Sequence, residues 1–115
     1  MTGNKTEIPK SVRRQLNALV GVAHEEAMRR ALADLAADFD RWRRGEIDSF
    51  ALTDRIHKFH DGSNREIYNR FALRKTSDLP ILAAYSLVQG WIEEKDIPPE
   101  VQPYIAPLVK FYRED

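Results

Sequence analysis

The sequence contains no cysteine. Disulfides, thiolate nucleophiles and cysteine-based zinc sites are excluded with it. Long apolar runs are missing too. The longest stretch, residues 79–92, is interrupted by Ser86, Gln89 and Gly90, whereas a membrane helix needs about 20 consecutive apolar residues. No membrane contact is therefore expected. Nor is there an excess of one charge: 18 basic side chains face 18 acidic ones, for a net charge of zero. A nucleic-acid-binding domain typically carries a basic stripe and a pI above roughly 9, so nucleic acid is not an expected partner. The five glycines are scattered singly. No glycine-rich phosphate loop, nucleophile elbow or dinucleotide fingerprint can be assembled from them. Residues 1–10 are polar and have no apolar signal-peptide core. No export signal is expected, and the cytoplasm is the default compartment.

What is present is a helical composition. The chain has 115 residues, 43% hydrophobic and 31% charged, a globular balance in a length suited to one domain. Residues 1–8 read as a flexible N-terminal tail and 9–115 as a single helical domain. Pro9 suits the first turn of a helix, where its missing N–H costs nothing. From Val12 to Arg44 the sequence is rich in Ala, Leu, Arg and Glu, and Gly45 then supplies a stop signal. This first helix carries two apolar stripes. Val12, Leu16, Leu19, Ala23 and Ala27 form one; Met28, Leu32, Leu35, Phe39 and Trp42 form the other, rotated by roughly 120°. A straight helix cannot turn both stripes onto one core. Either it breaks near Gly21–Glu26, or its two halves serve different contacts, one of them a second subunit.

Asp48 or Ser49 can cap a second helix running to about His60, with Leu52, Ile56 and Phe59 on its buried edge. Asp61-Gly62 is expected to end it. Ser63 and Glu66 have the spacing of a capping box and predict a third helix to about Arg74, burying Ile67 and Phe71. Leu79-Pro80 suits the first turn of a fourth, central helix reaching about Glu94. Pro98, Pro99, Pro103 and Pro107 argue for short turns, then a last helix from Pro107 to about Arg113. Tyr104, Ile105, Leu108, Val109, Phe111 and Tyr112 would pack back on the bundle. No segment alternates with period two, so no sheet is expected. The fold class is all-α: a single-domain bundle of about five helices, with a long first helix and a proline-rich C-terminal segment.

One polar cluster has chemical potential. Asp54, His57 and Asp61 lie at i, i+3 and i+7 on the second helix, with His60 beside them. Two imidazoles and two carboxylates on one patch suit a divalent metal, with Asp54, His57, His60 and Asp61 as ligands. They also suit acid–base work, because histidine titrates near neutral pH. The competing reading is structural: His60 interacts with a helix C-terminus, and Asp54 pairs with Lys58 across one turn. His24 falls on the apolar side of the first helix as a core-edge histidine; if it faced His57 or His60, the metal reading would gain.

Arg55 and His60 stand in an Arg-x4-His spacing. This resembles the short motif of HEPN-domain ribonucleases, compact all-helical proteins of bacterial toxin–antitoxin and defence systems. The resemblance covers residues 55–60. It implies that Arg55 and His60, brought together across a dimer, act on an RNA phosphodiester. The run Arg41-Trp42-Arg43-Arg44 suggests phosphate contact and base stacking, but Asp34, Asp38 and Asp40 oppose phosphate and offer partners along the helix.

The leading expectation is a small helical protein of bacterial type. It acts by protein–protein contact, through self-association as a homodimer or with another protein, and needs no cofactor. The alternative is a metal-binding or acid–base enzyme using Arg55, His57 and His60, including a HEPN-like ribonuclease. The sequence leaves open whether the chain is an enzyme.

Overall fold

The structure is a computed structural model and describes residues 8–114. The expected tail falls at residues 1–8, of which 1–7 lie outside the described residues. Among the described residues every element is helical and no strand occurs. Four helical segments carry the fold: α1 (Lys10–Arg43), a continuous run over 49–72, α4 (Leu79–Gln89) and α5 (Gln102–Arg113). The run over 49–72 contains α2 (Ser49–Phe59), a π turn (His60–Asn64), the short α3 (Arg65–Ile67) and a second π turn (Tyr68–Ala72). Single 3-10 turns stand at Thr76–Asp78 and Glu94–Asp96. No helix among the described residues is long and apolar enough to cross a membrane.

The first helix is unbroken through Gly21. Its stop is the one expected. Gly45 takes a left-handed φ of 77°, the Gly45 N–H donates to Trp42 and the Glu46 N–H to Arg41. That pair of bonds is a Schellman motif, which satisfies carbonyls a helix end leaves orphaned.

Three sequence expectations are corrected. The second and third helices do not separate, so four segments replace the expected five. His60 and Asn64 keep right-handed helical dihedrals. The N–H groups around Ser63 are thus supplied by the preceding turn, in π fashion, and have no need of a cap. The fourth helix stops at Gln89 rather than Glu94 because Gly90 adopts a φ of 80°. A second Schellman motif forms there, with Gly90 N–H donating to Leu87 and Trp91 N–H to Ser86. The last helix begins at Gln102, five residues before Pro107. Pro103 occupies its first turn and Pro107 lies inside it. An exposed proline near a helix start removes one backbone bond without ending the helix.

The described chain divides into two compact units. One comprises the described residues up to Ala23 together with those from Arg74 onward. Its core takes Val12, Leu16, Leu19, Val20 and Ala23 from α1, Leu79, Leu82, Ala83, Ala84 and Leu87 from α4, and Val101, Ile105 and Val109 from the C-terminal segment. The last three follow an i, i+4, i+8 row, so α5 buries one stripe only. Phe111, expected to pack inward, is off that row and 65% exposed. Tyr104 is exposed as well. Glu100 accepts hydrogen bonds from Ser11 Oγ (3.2 Å) and Gln15 Nε2 (2.9 Å), tying the start of α1 to the C-terminal segment.

The other unit spans His24–Leu73. It is the hairpin of the second half of α1 and the run over 49–72, and it holds every residue of the polar cluster. Its buried apolar side chains are few: Ala27, Leu52 and Phe71. Phe71 is fully buried and stacks on His24, with ring centroids 4.9 Å apart and an interplanar angle of 7°.

Candidate functional site

The hairpin is closed by three side-chain contacts. Asp48 caps α2: its Oδ1 accepts from Ala51 N–H at 2.8 Å. Such a cap satisfies one of the four orphan donors at a helix start. Trp42 Nε1 donates to Ser49 Oγ at 3.0 Å. Farther from the turn, Arg55 Nη1 donates to Asp38 Oδ1 at 2.7 Å in a part-buried pair. From contact 42–49 to contact 38–55 the α1 number falls while the α2 number rises, so α2 runs antiparallel to α1.

The polar cluster occupies the outer side of α2. Asp54, His57, His60 and Asp61 are all exposed. Each carboxylate already faces a cation one turn on: Lys58 Nζ lies 2.9 Å from Asp54 and Arg65 Nη2 lies 3.9 Å from Asp61. The π turn begins at His60, so residues beyond it fall behind the register of α2. His24 stacks on Phe71 within the hairpin core. Among the described residues, no group of three or more His, Asp or Glu side chains is arranged to hold a metal ion.

Arg55 and His60 are not brought together within one chain. Five residues of α-helix separate two side chains by about 140° around the axis. Arg55 turns toward Asp38 on α1, while His60 is exposed. A shallow pocket of about 220 Å³ is lined by Arg55 together with Leu35, Phe59, Asp34, Asp38 and Lys58.

The basic run at the end of α1 is balanced by neighbouring acids. Asp38 lies 3.8 Å from Arg41, Asp40 bonds Arg43 at 3.0 Å, and Glu46 bonds Arg44 at 2.6 Å. The hydrogen bond from Arg44 holds the Glu46 carboxyl below the usual range against opposing desolvation, with the charges of Arg44 and Arg41 adding to it. Arg44 is correspondingly raised, chiefly by its hydrogen bond to Glu46. Phosphate would have to compete with these carboxylates for every arginine of the run.

Sequence reasoning missed the Arg55–Asp38 pair. A signal was present. Each residue flanks an apolar edge, Arg55 beside Leu52 and Ile56, Asp38 beside Leu35 and Phe39, and the two carry opposite charge on consecutive helices.

The apolar stripes behave differently. Every member of the first, Val12 to Ala27, is buried. No member of the second is. Leu32 is 47% exposed and Trp42 39%, while Met28, Leu35 and Phe39 are half-buried.

Comparison with protein-family models, curated proteins and solved structures returns no match for this chain.

Proposed function

We propose that this chain is a small helical interaction protein that acts by protein–protein contact as a homodimer. The observation that supports this reading is the incomplete burial of the second stripe. A 50-residue hairpin that buries only Ala27, Leu52 and Phe71 leaves uncovered the apolar side chains its own sequence aligns. Contiguous apolar surface on a protein marks an interaction site. Action in the cytoplasm is part of the proposal and rests on composition alone. Sedimentation equilibrium, or sizing with light scattering, over a hundredfold range of concentration tests it. A dimer in the micromolar range or tighter is the expected result. A strict monomer throughout overturns the reading.

One observation favours a second reading. The π turn opens at His60, and π turns within helices frequently coincide with functional sites. His57 and His60 stand exposed on the same hairpin as the uncovered stripe, so a ligand set or an Arg55–His60 pair would be completed by a second copy. Elemental analysis of purified protein, with His57→Ala and His60→Ala alongside, tests the metal version. RNA incubated at neutral pH tests the ribonuclease version, which fails unless cleavage depends on both Arg55 and His60.

A further inference from the structure

The hairpin's uncovered surface can be located more closely. The Arg55–Asp38 pair marks one flank of the seam between α1 and α2. Phe39 follows Asp38 by one residue, and Ile56 follows Arg55 by one residue. Each step rotates a side chain by about 100°. In an antiparallel pair, equal rotations carry both side chains to the same flank of the seam. Met28 and Leu32 lie within roughly 40° of Phe39 on the α1 wheel. Ile56 is 38% exposed, which agrees with an uncovered flank. The two polar anchors, Arg55 on one side and Trp42 bonded to Ser49, fix the hairpin so that this flank stays presented.

Resting on the homodimer reading, we infer that a second copy of the chain covers this flank, with α1 crossing its own copy antiparallel about a twofold axis near Leu35. Three observations carry the choice of occupant. The stripe is its own complement. Reversed about Leu35, Met28 comes opposite Trp42, and Leu32 falls within one residue of Phe39, so a flexible side chain meets the largest and the two inner apolar side chains stand side by side. A twofold interface requires such self-complementarity.

The charges agree. The hairpin holds ten acidic and nine basic side chains, leaving no field to select a partner of opposite sign.

The area is sufficient. A whole large side chain presents ~150–250 Å²; with Leu32, Trp42 and Ile56 38–47% exposed and Met28, Leu35 and Phe39 half-buried, the six offer roughly 400 Å² of apolar surface per copy. Two copies bring about 800 Å². Apolar atoms make up roughly 60% of an interface, so the whole would bury about 1,300 Å², within the ~1,200–2,000 Å² of stable dimers.

The experiment combines sizing with cross-linking, and the absence of cysteine makes the second clean. Leu32→Glu places a charge on the inferred face at a position already 47% exposed, so the hairpin tolerates it. The expected result is a dissociation constant weakened about thirtyfold or more, as for a central interface residue, with an unchanged circular dichroism spectrum. Phe111→Glu, on α5, is the control and leaves the dimer intact. Leu35→Cys yields a covalent dimer under mild oxidant, because a residue near a twofold axis meets its own copy within disulfide reach. A wild-type chain that stays monomeric overturns the homodimer reading and the face together. A wild-type dimer that survives Leu32→Glu, or that gives no Leu35→Cys cross-link, overturns the face and leaves the homodimer reading standing.

Discussion

Arg55 Nη1 and Asp38 Oδ1 lie 2.7 Å apart and join the two arms of the helical hairpin. The side chains are 38% and 20% exposed, so water and salt screen the pair only in part. It joins α1 to α2 on the arm that carries the polar cluster.

Removing one partner tests its structural weight. Asp38→Asn keeps the shape and removes the charge, leaving the Arg55 guanidinium short of a partner. Arg55 is more than one-third exposed, so the loss is modest, about 1 kcal/mol of unfolding free energy. Urea denaturation of Asp38→Asn, Arg55→Gln and the double variant measures the coupling. A coupling below about 0.3 kcal/mol would show that the pair does not hold the arms together.

Glycine replacements probe the backbone in opposite directions. Gly21 sits inside α1, and a Cβ there meets nothing within 4 Å. Gly21→Ala is expected to stabilise the chain by about 0.5–1 kcal/mol, the helix-propensity difference. Gly45 also has open space, but its φ is 77°. Gly45→Ala is expected to destabilise by roughly 1 kcal/mol, because a Cβ strains the left-handed conformation. Thermal melts of the two variants check both signs; a loss of stability in Gly21→Ala would contradict an unbroken α1.

Ser86 is fully buried in α4, and its hydroxyl has no hydrogen-bond partner. A buried hydroxyl without a partner carries an uncompensated desolvation cost, and alanine is the better helix former. Ser86→Ala is expected to raise the unfolding free energy by about 0.5–1.5 kcal/mol. Chemical denaturation reads the change, and a decrease would mean that the hydroxyl is satisfied.

The Glu46 carboxyl is lowered mainly by its hydrogen bond from Arg44. A carboxyl that is more acidic folded than unfolded stabilises the fold above its unfolded pKa. That contribution is lost as pH falls through the lower folded value. The window therefore lies below the ordinary glutamate range of about 4.3. Glu46 is exposed, so the clearest readout is its own titration by carboxyl NMR. Arg44→Ala should return its midpoint to the ordinary range, whereas an unmoved midpoint would refute the pairing.

Several elements were legible because their signals are local. The Asp48 cap needs only a carboxylate before a helix start. The Gly45 stop needs only a residue that tolerates positive φ after a basic last turn. The first stripe of α1 is fully buried as its spacing predicts. Gly90 was equally capable of stopping α4, but Trp91 and Ile92 continue the apolar pattern and obscured it. Ser63 and Glu66 show the reverse, a local signal that does not act. A capping box works only where N–H groups are orphaned, and the π turn over 60–64 leaves the chain helical through that point. The candidate site was read as a row of Asp54, His57 and Asp61; all three are exposed, and the π turn that contains Asp61 takes it out of register with the other two. Its engagements with Lys58 and Arg65 follow from neighbours one turn away.

By itself, the sequence determined that the described residues are helical, where α1 ends and the two apolar stripes along it; that α1 runs unbroken through Gly21 came from the structure. Helix formation depends on propensity, caps and 3.6-residue periodicity, all of which are read within a few residues. Only the tertiary structure decided which stripe is covered, that Arg55 meets Asp38 rather than His60, and that His24 stacks on Phe71 rather than facing the other histidines. Those outcomes depend on how residues 17 to 47 positions apart are brought together. Periodicity orients a side chain about its own axis; packing chooses what it meets.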